Sequence, residues 1–194
     1  MKFNFTDYVN ESIGNLHSLL EEDRAKAVNE AGVILLNSLL EQKNVLIAGN
    51  GGSHSDAQHF AGELVNFFTR KHKALNVITL GTNTAVSTAW SNDHNFDDQF
   101  AREVEAYGMN GSTFFGITTS GNSENLKRAF MAARALGMKT VALASDKAIP
   151  ILSEFCDVII AVPGKETHKI QESHIVVYHA LCVYIEAMLP DNFL

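Results

Sequence analysis

The sequence has little cysteine and little proline: two cysteines and three prolines occur among 194 residues. Cys156 and Cys182 each lie in an apolar run, so we expect buried thiols in a reducing compartment and no disulfide framework. No apolar run approaches the roughly 18 residues that a membrane-spanning helix needs. The stretch from Met1 to Asp7 lacks the basic region and the apolar core of a signal peptide. We therefore expect a cytoplasmic protein without a membrane partner.

Basic side chains are also scarce, since the chain has 15 Lys and Arg but 22 Asp and Glu, which gives a formal net charge of −7. A protein that binds the phosphate backbone of nucleic acid needs a basic face, so direct nucleic-acid binding is not expected. A small anionic ligand stays compatible with this charge, because the local groups of a site decide what it binds. Hydrophobic residues make up 46% and charged residues 19% of the chain, which argues against long disorder.

No repeat, low-complexity tract or linker divides the chain, so we predict one domain over residues 1–194. Apolar residues at helical spacing predict two helices, 7–20 and 23–41, before the first strand. We expect this N-terminal pair, within residues 1–42, to contribute to oligomerisation; a cover over the sheet is the alternative.

The rest of the chain alternates between strand and helix patterns. Predicted strands lie at 45–48, 75–80, 112–118, 139–144 and 157–162. One helix follows the first strand, and further helices are predicted at 85–90, 97–107, 124–136, 149–155 and 168–188, with a polar loop at 92–96. This order predicts an α/β fold: a three-layer α/β/α sandwich with a five-stranded parallel sheet and right-handed crossovers, plus the two N-terminal helices.

A glycine-rich turn, Gly49 to Ser53, connects the first strand to its helix. Its glycines tolerate close backbone approach, Ser53 can cap the helix, and the free amides at the helix start favour an anion. In the same helix His59 and Glu63 are four residues apart and project from one face. They could form a metal-ligand pair or an acid/base pair, although such pairs also occur by chance on surface helices.

A second small turn, residues 118–123, follows the third strand and carries four hydroxyls. Its hydroxyl-bearing residues are Thr118, Thr119, Ser120 and Ser123. The carboxyl ends of parallel strands open toward one edge, so both turns face the same side. The second turn is the better phosphate cradle, because the amides from Gly121 onward open a helix. A single such turn would more often be only a turn and a cap, but two on adjacent strand ends favour a site. Neither turn matches the ATP or dinucleotide motifs.

The C-terminal helix carries a polar group on an otherwise apolar segment. The group consists of Gln171, Glu172, His174 and His179. His179 lies among apolar residues, where a hydrogen-bonded core histidine is the plain alternative to a functional one. At about 100° per residue, Gln171 diverges from His179 by roughly 80° and from His174 by about 60°. Helical geometry therefore leaves open which pair faces a site.

Five separated motifs together resemble a known family. They are Gly49-Asn-Gly-Gly-Ser53, His59-Phe-Ala-Gly-Glu63, Asn92-Asp93, Thr119-Ser-Gly-Asn-Ser123 and Ile170-Gln-Glu-Ser-His-Ile175 with His179. In this order they are similar to the sedoheptulose-7-phosphate isomerases, also called phosphoheptose isomerases, of the flavodoxin-like sugar isomerase (SIS) fold. The resemblance spans essentially the whole chain, including the N-terminal helices.

The resemblance implies a cytoplasmic homotetramer that converts D-sedoheptulose 7-phosphate to D-glycero-D-manno-heptose 7-phosphate through an enediolate. This reaction is the first step of ADP-heptose biosynthesis for lipopolysaccharide core. The family binds one zinc per subunit, and the matching ligands are His59, Glu63, Gln171 and His179. Glu63 and His179 also match its base and acid. Gln is an unusual zinc ligand, so a weakly held, exchangeable ion is implied. The implied substrate-binding residues are Asn50, Gly51, Gly52, Ser53, Asn92, Asp93, Thr118, Thr119, Ser120, Ser123 and Gln171.

The sequence also departs from the family pattern. Asn66-Phe67 stands where a Gly-Arg pair is common, with Arg70 as the next basic residue, and His168-Lys169 replaces a pair such as Asp-Arg. These changes leave the sugar open, so an isomerase of a different phosphosugar is one alternative, and the basic side chains are candidates to act on a neighbouring subunit's substrate. Another alternative is a non-catalytic SIS adaptor of the replication initiator. That adaptor family lacks the catalytic Glu and His, whose presence here favours an enzyme.

Overall fold

The computed structural model describes residues 3–193, so positions 1, 2 and 194 of the predicted domain lie outside the described residues. Within that range, the α-helices are α1 Phe5–Ser18, α2 Glu22–Leu40, α3 Gly52–Val65, α4 Thr84–Asp93, α5 Gln99–Tyr107, α6 Glu124–Ala135, α7 Ile149–Leu152 and α8 Thr167–Met188. The strands are β1 Val45–Gly49, β2 Val77–Thr79, β3 Thr113–Thr118, β4 Lys139–Ser145 and β5 Val158–Val162. None of these helices combines the length and apolar content that crossing a membrane requires.

The five strands form one parallel sheet in the order β2-β1-β3-β4-β5. β1 lies between β2 and β3, and Val45 pairs with Val77 on one side and Thr113 on the other. This order is that of the flavodoxin-like doubly wound folds, in which ligands bind where the strand order reverses, between the first and third strands. The predicted five-stranded parallel α/β fold is confirmed, and the two turns identified in the sequence lie at that reversal.

Helices cover both faces of the sheet because alternate strand residues point to opposite sides. Val45 and Ile47 pack in the core beneath α2, α3 and α8. Leu46 and Ala48 pack in the second core, beneath α5, α6 and α7. All five residues of β1 are buried, which explains its uninterrupted apolar sequence.

Several elements differ from their predicted extent, and α1 begins and ends two residues earlier than predicted. α4 continues to Asp93, so the predicted loop at 92–96 is wrong at its start; the Asn83 side chain accepts hydrogen bonds from the first α4 amides and stabilises the helix. α7 is shorter than predicted and follows a 3₁₀ turn over Asp146–Ala148. β2 has three residues, since only Val77–Thr79 pair with β1.

The two N-terminal helices differ in how they attach to the domain. α2 belongs to the helical layer, with Ala31 and Leu35 fully buried. α1 has no buried residue among those described and contacts α8 through a polar cluster. In that cluster the buried Lys169 ammonium donates to the Tyr8 carbonyl (2.8 Å) and Ser12 Oγ (2.6 Å), and lies 3.2 Å from Glu172. A role of the helical pair in oligomerisation stays a prediction.

The two cysteines are unpaired, with Cys182 buried and Cys156 partly buried. Burial raises the pKa of both thiols to about 12. Neither thiol is therefore suited to nucleophilic chemistry at neutral pH.

Candidate active site

The glycine-rich turn requires glycine because the chain folds tightly onto itself. Gly51 has φ +56°, and a Cβ on Gly49 would lie 2.4 Å from the Ser53 carbonyl oxygen. Gly51 is the N-cap of α3, and no side chain caps the helix. The predicted capping role of Ser53 is therefore wrong: the helix already begins at Gly52, and the Ser53 amide donates to the Asn50 carbonyl (3.0 Å).

The second turn uses part of its hydroxyl content to hold its own shape. Thr118 Oγ1 accepts from the Gly121 amide (3.1 Å), and Ser120 Oγ accepts from the Asn122 amide (3.2 Å). Ser123 is the N-cap of α6, but its side chain makes no capping hydrogen bond. The Ser123 hydroxyl and the amides at the start of α6 are consequently placed to receive an anion.

A reciprocal pair of carboxamides joins the two turns. Asn50 Nδ2 donates to Asn125 Oδ1, and Asn125 Nδ2 donates to Asn50 Oδ1, both at 2.9 Å. The glycine-rich turn and the first turn of α6 are thereby held together. Sequence reasoning missed Asn125, because a residue two positions past Ser123 carries no sign of a partner in another turn.

A cavity of about 210 Å³ lies beside the second turn. It is lined by Thr119, Ser120, Asn122, Ser145, Lys147, Ile151, Lys165, Thr167 and Ile170. Hydroxyls and two lysines around one cavity suit a phosphate group. Sequence reasoning missed the lysines, which follow β4 and β5 and come close to the turn only when the strands are neighbours.

Three of the four predicted metal ligands come together on α3 and α8. The ligand atoms of His59, Glu63 and His179 all lie within 4.8 Å of one another. His59 Nε2 is 2.9 Å from Glu63 Oε1, and the rings of His59 and His179 are perpendicular with centroids 5.1 Å apart. His179 Nε2 is buried and has no hydrogen-bond partner among the described residues. Two imidazoles and a carboxylate are a common set of ligands in catalytic zinc sites. The unpaired, buried Nε2 of His179, one of these two imidazoles, therefore fits a bound metal ion.

The surroundings of His179 favour its neutral form. Burial lowers the pKa of His179, the neighbouring His59 lowers it further, and Glu63 acts in the opposite direction. A neutral imidazole has a lone pair for a metal or for a proton, so the ring is in the form that either role needs.

The predicted fourth ligand, Gln171, lies against the glycine-rich turn. A Cβ on Gly52 would come within 2.2 Å of Gln171 Nε2, so the carboxamide occupies the space that glycine leaves. Gln171 precedes His179 by eight residues, or about 12 Å along the helix axis. The structure thus gives Gln171 a place beside the predicted substrate turn, and its role as a metal ligand stays a prediction.

His174 is the α8 histidine that belongs to the core. It is fully buried, and burial lowers its pKa to about 4. The open question of which α8 residues face the site is answered by these positions: His179 joins His59 and Glu63, Gln171 meets Gly52, and His174 points into the protein.

Side chains that sequence reasoning missed surround the imidazoles. Tyr178 Oη is 2.9 Å from His59 Nδ1, and the Phe68 ring lies 4.9 Å from the His179 ring between centroids. Glu186 accepts hydrogen bonds from the amides of residues 68–70 and so holds the segment that carries Phe68. In the sequence, adjacency to His179 was the one indication that Tyr178 lies at the site, and nothing indicated that Phe68 or Glu186 does.

Other predicted or candidate residues lie away from this group. Asn92 and Asp93 are exposed at the end of α4, where Asn92 Nδ2 donates to Asp93 Oδ1 (2.9 Å). Among the basic candidates, Lys169 is engaged with α1, and Arg70 donates to the Glu186 carbonyl (3.2 Å). His168 stacks on the Tyr8 ring. These basic and imidazole groups contact residues of the same chain.

Comparison with known proteins shows the family of the chain. Residues 7–145 match the family described as SIS domain. A phosphoheptose isomerase of Helicobacter pylori (strain P12) is 44% identical over 153 residues, 79% of each chain. Another, from Helicobacter hepaticus, is 42% identical over 166 residues, 86% of this chain and 84% of the relative.

Solved structures give the same family. A phosphoheptose isomerase from Francisella tularensis has a TM-score of 0.89 at 31% identity, covering 94% of this chain and 96% of that chain. One from Neisseria gonorrhoeae has a TM-score of 0.83 at 33% identity, covering 95% of both. The family resemblance of the sequence motifs is confirmed. The chain therefore belongs to the SIS-domain family, in the group of the phosphoheptose isomerases, and it is a phosphosugar isomerase.

Proposed function

We propose that this isomerase converts D-sedoheptulose 7-phosphate to D-glycero-D-manno-heptose 7-phosphate. The observation that carries the proposal is that ligand atoms of Glu63, His59 and His179 lie within 4.8 Å of one another. Glu63 and His59 lie on α3, which follows the glycine-rich turn, and His179 lies on α8, whose Gln171 meets that turn. Interconversion of a ketose and an aldose needs a base beside the carbonyl, an acid for the oxygen and a positive charge near the enediolate. Glu63 and His179 are candidates for the base and the acid, and the same group of side chains could hold a metal ion that supplies the positive charge.

Glu63 is the proposed base and His179 the proposed acid. The Glu63 carboxylate takes the proton from the hydroxyl-bearing carbon beside the ketone and returns it to the neighbouring carbon, so no proton is consumed overall. His179 supplies and recovers the proton of the substrate oxygens. The pKa of His179 is lowered chiefly by burial, which keeps the ring neutral and able to exchange a proton.

We further propose that His59, Glu63 and His179 hold a zinc ion, with Gln171 as the predicted fourth ligand. When bound, the ion supplies positive charge that stabilises the developing oxyanion. A ring nitrogen that holds a metal carries no proton, so the acid role of His179 belongs to its other nitrogen. Gln is an unusual zinc ligand, and we expect weak and exchangeable binding.

The substrate phosphate is proposed to bind at the second turn, residues 118–123. The cavity beside this turn is lined by hydroxyls and by Lys147 and Lys165, which favours an anion. Residues 50–53 and Gln171 would line the path from the phosphate to Glu63, and Asn92 and Asp93 are predicted to contact the sugar. Fixing the non-reacting phosphate orients the carbonyl end, which is how remote binding aids the reaction.

The proposed setting is a cytoplasmic homotetramer that catalyses the first step toward ADP-heptose for lipopolysaccharide core. The exposed apolar side chains of α1 support an assembly, since Phe5 is 67% and Ile13 57% exposed in the single chain. Surface of this kind on a helix without buried residues is typical of subunit contacts.

The test is to mix the purified protein with sedoheptulose 7-phosphate, with and without zinc, and to follow the aldose phosphate by NMR. Glu63→Gln should lower turnover by about 10²–10⁴-fold because the base is lost. Glu30→Gln, an exposed change on α2, is the matched control and should leave turnover unchanged. Absence of turnover by the wild type would refute the substrate, and undiminished turnover by Glu63→Gln would refute the mechanism. Turnover of another phosphosugar alone would favour the alternative isomerase.

A further inference from the structure

The phenol hydroxyl of Tyr178 contacts the nitrogen of His59 that faces away from Glu63. Tyr178 Oη is 2.9 Å from His59 Nδ1, while His59 Nε2 is 2.9 Å from Glu63 Oε1. The imidazole is therefore held through both nitrogens. Tyr178 is fully buried, and its ring stacks on Phe60 with centroids 5.6 Å apart, so the hydroxyl projects from a fixed support.

The contact with Glu63 decides which nitrogen of a metal-free, neutral His59 carries the proton. An ionised carboxylate only accepts hydrogen bonds, so Nε2 of a neutral His59 has to donate to Glu63. Nδ1 is then unprotonated and accepts a hydrogen bond from the Tyr178 hydroxyl. If Nε2 instead gives its lone pair to a metal, the ring proton resides on Nδ1, and the same hydroxyl rotates to accept it. A hydroxyl serves both states because it is a donor and an acceptor.

We propose that Tyr178 is a positioning residue of the metal site: its hydroxyl fixes the ring of His59 and makes Nε2 the ligand atom. This inference rests on the proposed function, since it concerns the metal site described there. Histidines that bind metals usually donate their second ring nitrogen to a fixed partner, which sets the tautomer and the ring orientation. Here the partner is a phenol from α8, the helix that also provides His179.

A purely structural role for Tyr178 makes a different prediction. The ring packs between Phe60 and the two imidazoles, and Phe at this position would keep that packing. The hydroxyl is the one group that Tyr178→Phe removes. Any change in metal binding that follows this substitution therefore reports on the contact with His59.

The test compares the wild type with Tyr178→Phe and with Tyr184→Phe, a matched control on the same helix whose ring packs against Gly32. Zinc affinity is measured by competition with a chromophoric chelator, and the absorption spectrum of the Co²⁺-loaded protein reports ligand geometry. We expect Tyr178→Phe to bind zinc about 10–100-fold more weakly and to alter the Co²⁺ spectrum. Tyr184→Phe should behave like the wild type.

The outcomes separate this inference from the proposed function. Equal zinc affinity in wild type and Tyr178→Phe would overturn the role of Tyr178 and leave the metal site standing, whereas a wild type that binds no zinc would overturn both. A second measurement needs no variant at the tyrosine. Nitrogen NMR of the zinc-loaded wild type should show the His59 ring proton on Nδ1, the nitrogen that contacts Tyr178. A proton on Nε2 of the zinc-loaded protein would refute the inference.

Discussion

Replacing Glu186 by Gln should destabilise the segment that supports His179. The Glu186 side chain is 1% exposed and accepts hydrogen bonds from the Phe68, Thr69 and Arg70 amides and from the Thr69 hydroxyl. Gln has the same shape but one acceptor oxygen, and its NH₂ group would face a backbone N–H. The change therefore removes charge and acceptors from a buried carboxylate while leaving its volume intact.

The expected loss follows from the strength of charge-assisted hydrogen bonds, about 1.5–3 kcal/mol each. Even if the Gln oxygen keeps the Thr69 contacts, the Phe68 amide loses its acceptor and the other bonds lose their charge. We expect the free energy of unfolding to fall by about 3 kcal/mol at neutral pH. Such a loss is a large share of the stability of an ordinary domain.

The pH dependence adds a second, independent expectation. Burial alone would raise the pKa of Glu186, but the hydrogen bonds from Thr69, Phe68 and Arg70 together outweigh it and lower the pKa. The stabilisation is therefore present above the unfolded-chain value of about 4.3 and is lost as the pH falls through the lower folded value. The difference between wild type and Glu186→Gln should accordingly shrink below about pH 4.3.

Urea denaturation followed by circular dichroism, at fixed protein concentration and stepwise from neutral pH to about pH 3.5, measures both quantities. Glu105→Gln is the matched control, because Glu105 forms an exposed pair with Arg102 and should change stability by less than about 0.5 kcal/mol. A Glu186→Gln protein as stable as the control at neutral pH, or a difference that does not change with pH, would refute the reasoning.

Two further substitutions probe contacts of the first turns of α8. Gly52→Ala places a Cβ 2.2 Å from Gln171 Nε2. It should lower both turnover and zinc affinity, because Gln171 is the proposed fourth ligand and lines the proposed substrate path. Gly62→Ala, with open space around its Cβ, is the control, and equal turnover in the two variants would contradict this prediction. Lys169→Met removes the cation that holds α1 and should cost about 1–3 kcal/mol, given the partial exposure of Glu172. Limited proteolysis should then cut α1 faster than in the exposed control Lys26→Met, and equal cutting would contradict it.

The fold was predictable from the sequence because hydrophobic patterns within short stretches of the chain indicate most of its strands and helices. Val45 to Gly49 is an uninterrupted apolar strand followed by glycines that the turn requires, and the same alternation recurs along the chain. The clearest error arose where a nonlocal contact decides an element's length, since β2 extends only as far as β1 can pair with it. At α4 the Asn83 side chain caps the start of the helix, a local contact that the hydrophobic pattern does not show.

The candidate site was predictable only in part, for a related reason. His59 and Glu63 could be paired because both lie on one helical face, which sequence spacing determines. Tyr178, Asn125 and Glu186 make their contacts across 119, 75 and up to 118 residues, and their partners are backbone amides or common side chains. No spacing rule connects such positions, so the residues that position the site were missed while several that compose it were found.

The orientation of α8 explains why the sequence left Gln171, His174 and His179 undecided. A shift by one residue turns every side chain of a helix by about 100°, so contacts elsewhere have to fix the register. Lys169 near one end and Glu186 near the other are buried charges, and each is satisfied by partners outside the helix. Burying either charge without those partners would be costly. The two buried charges therefore allow α8 to pack against the domain in one rotation about its axis. That rotation brings His179 to His59 and Glu63, brings Gln171 to Gly52, and turns His174 into the core.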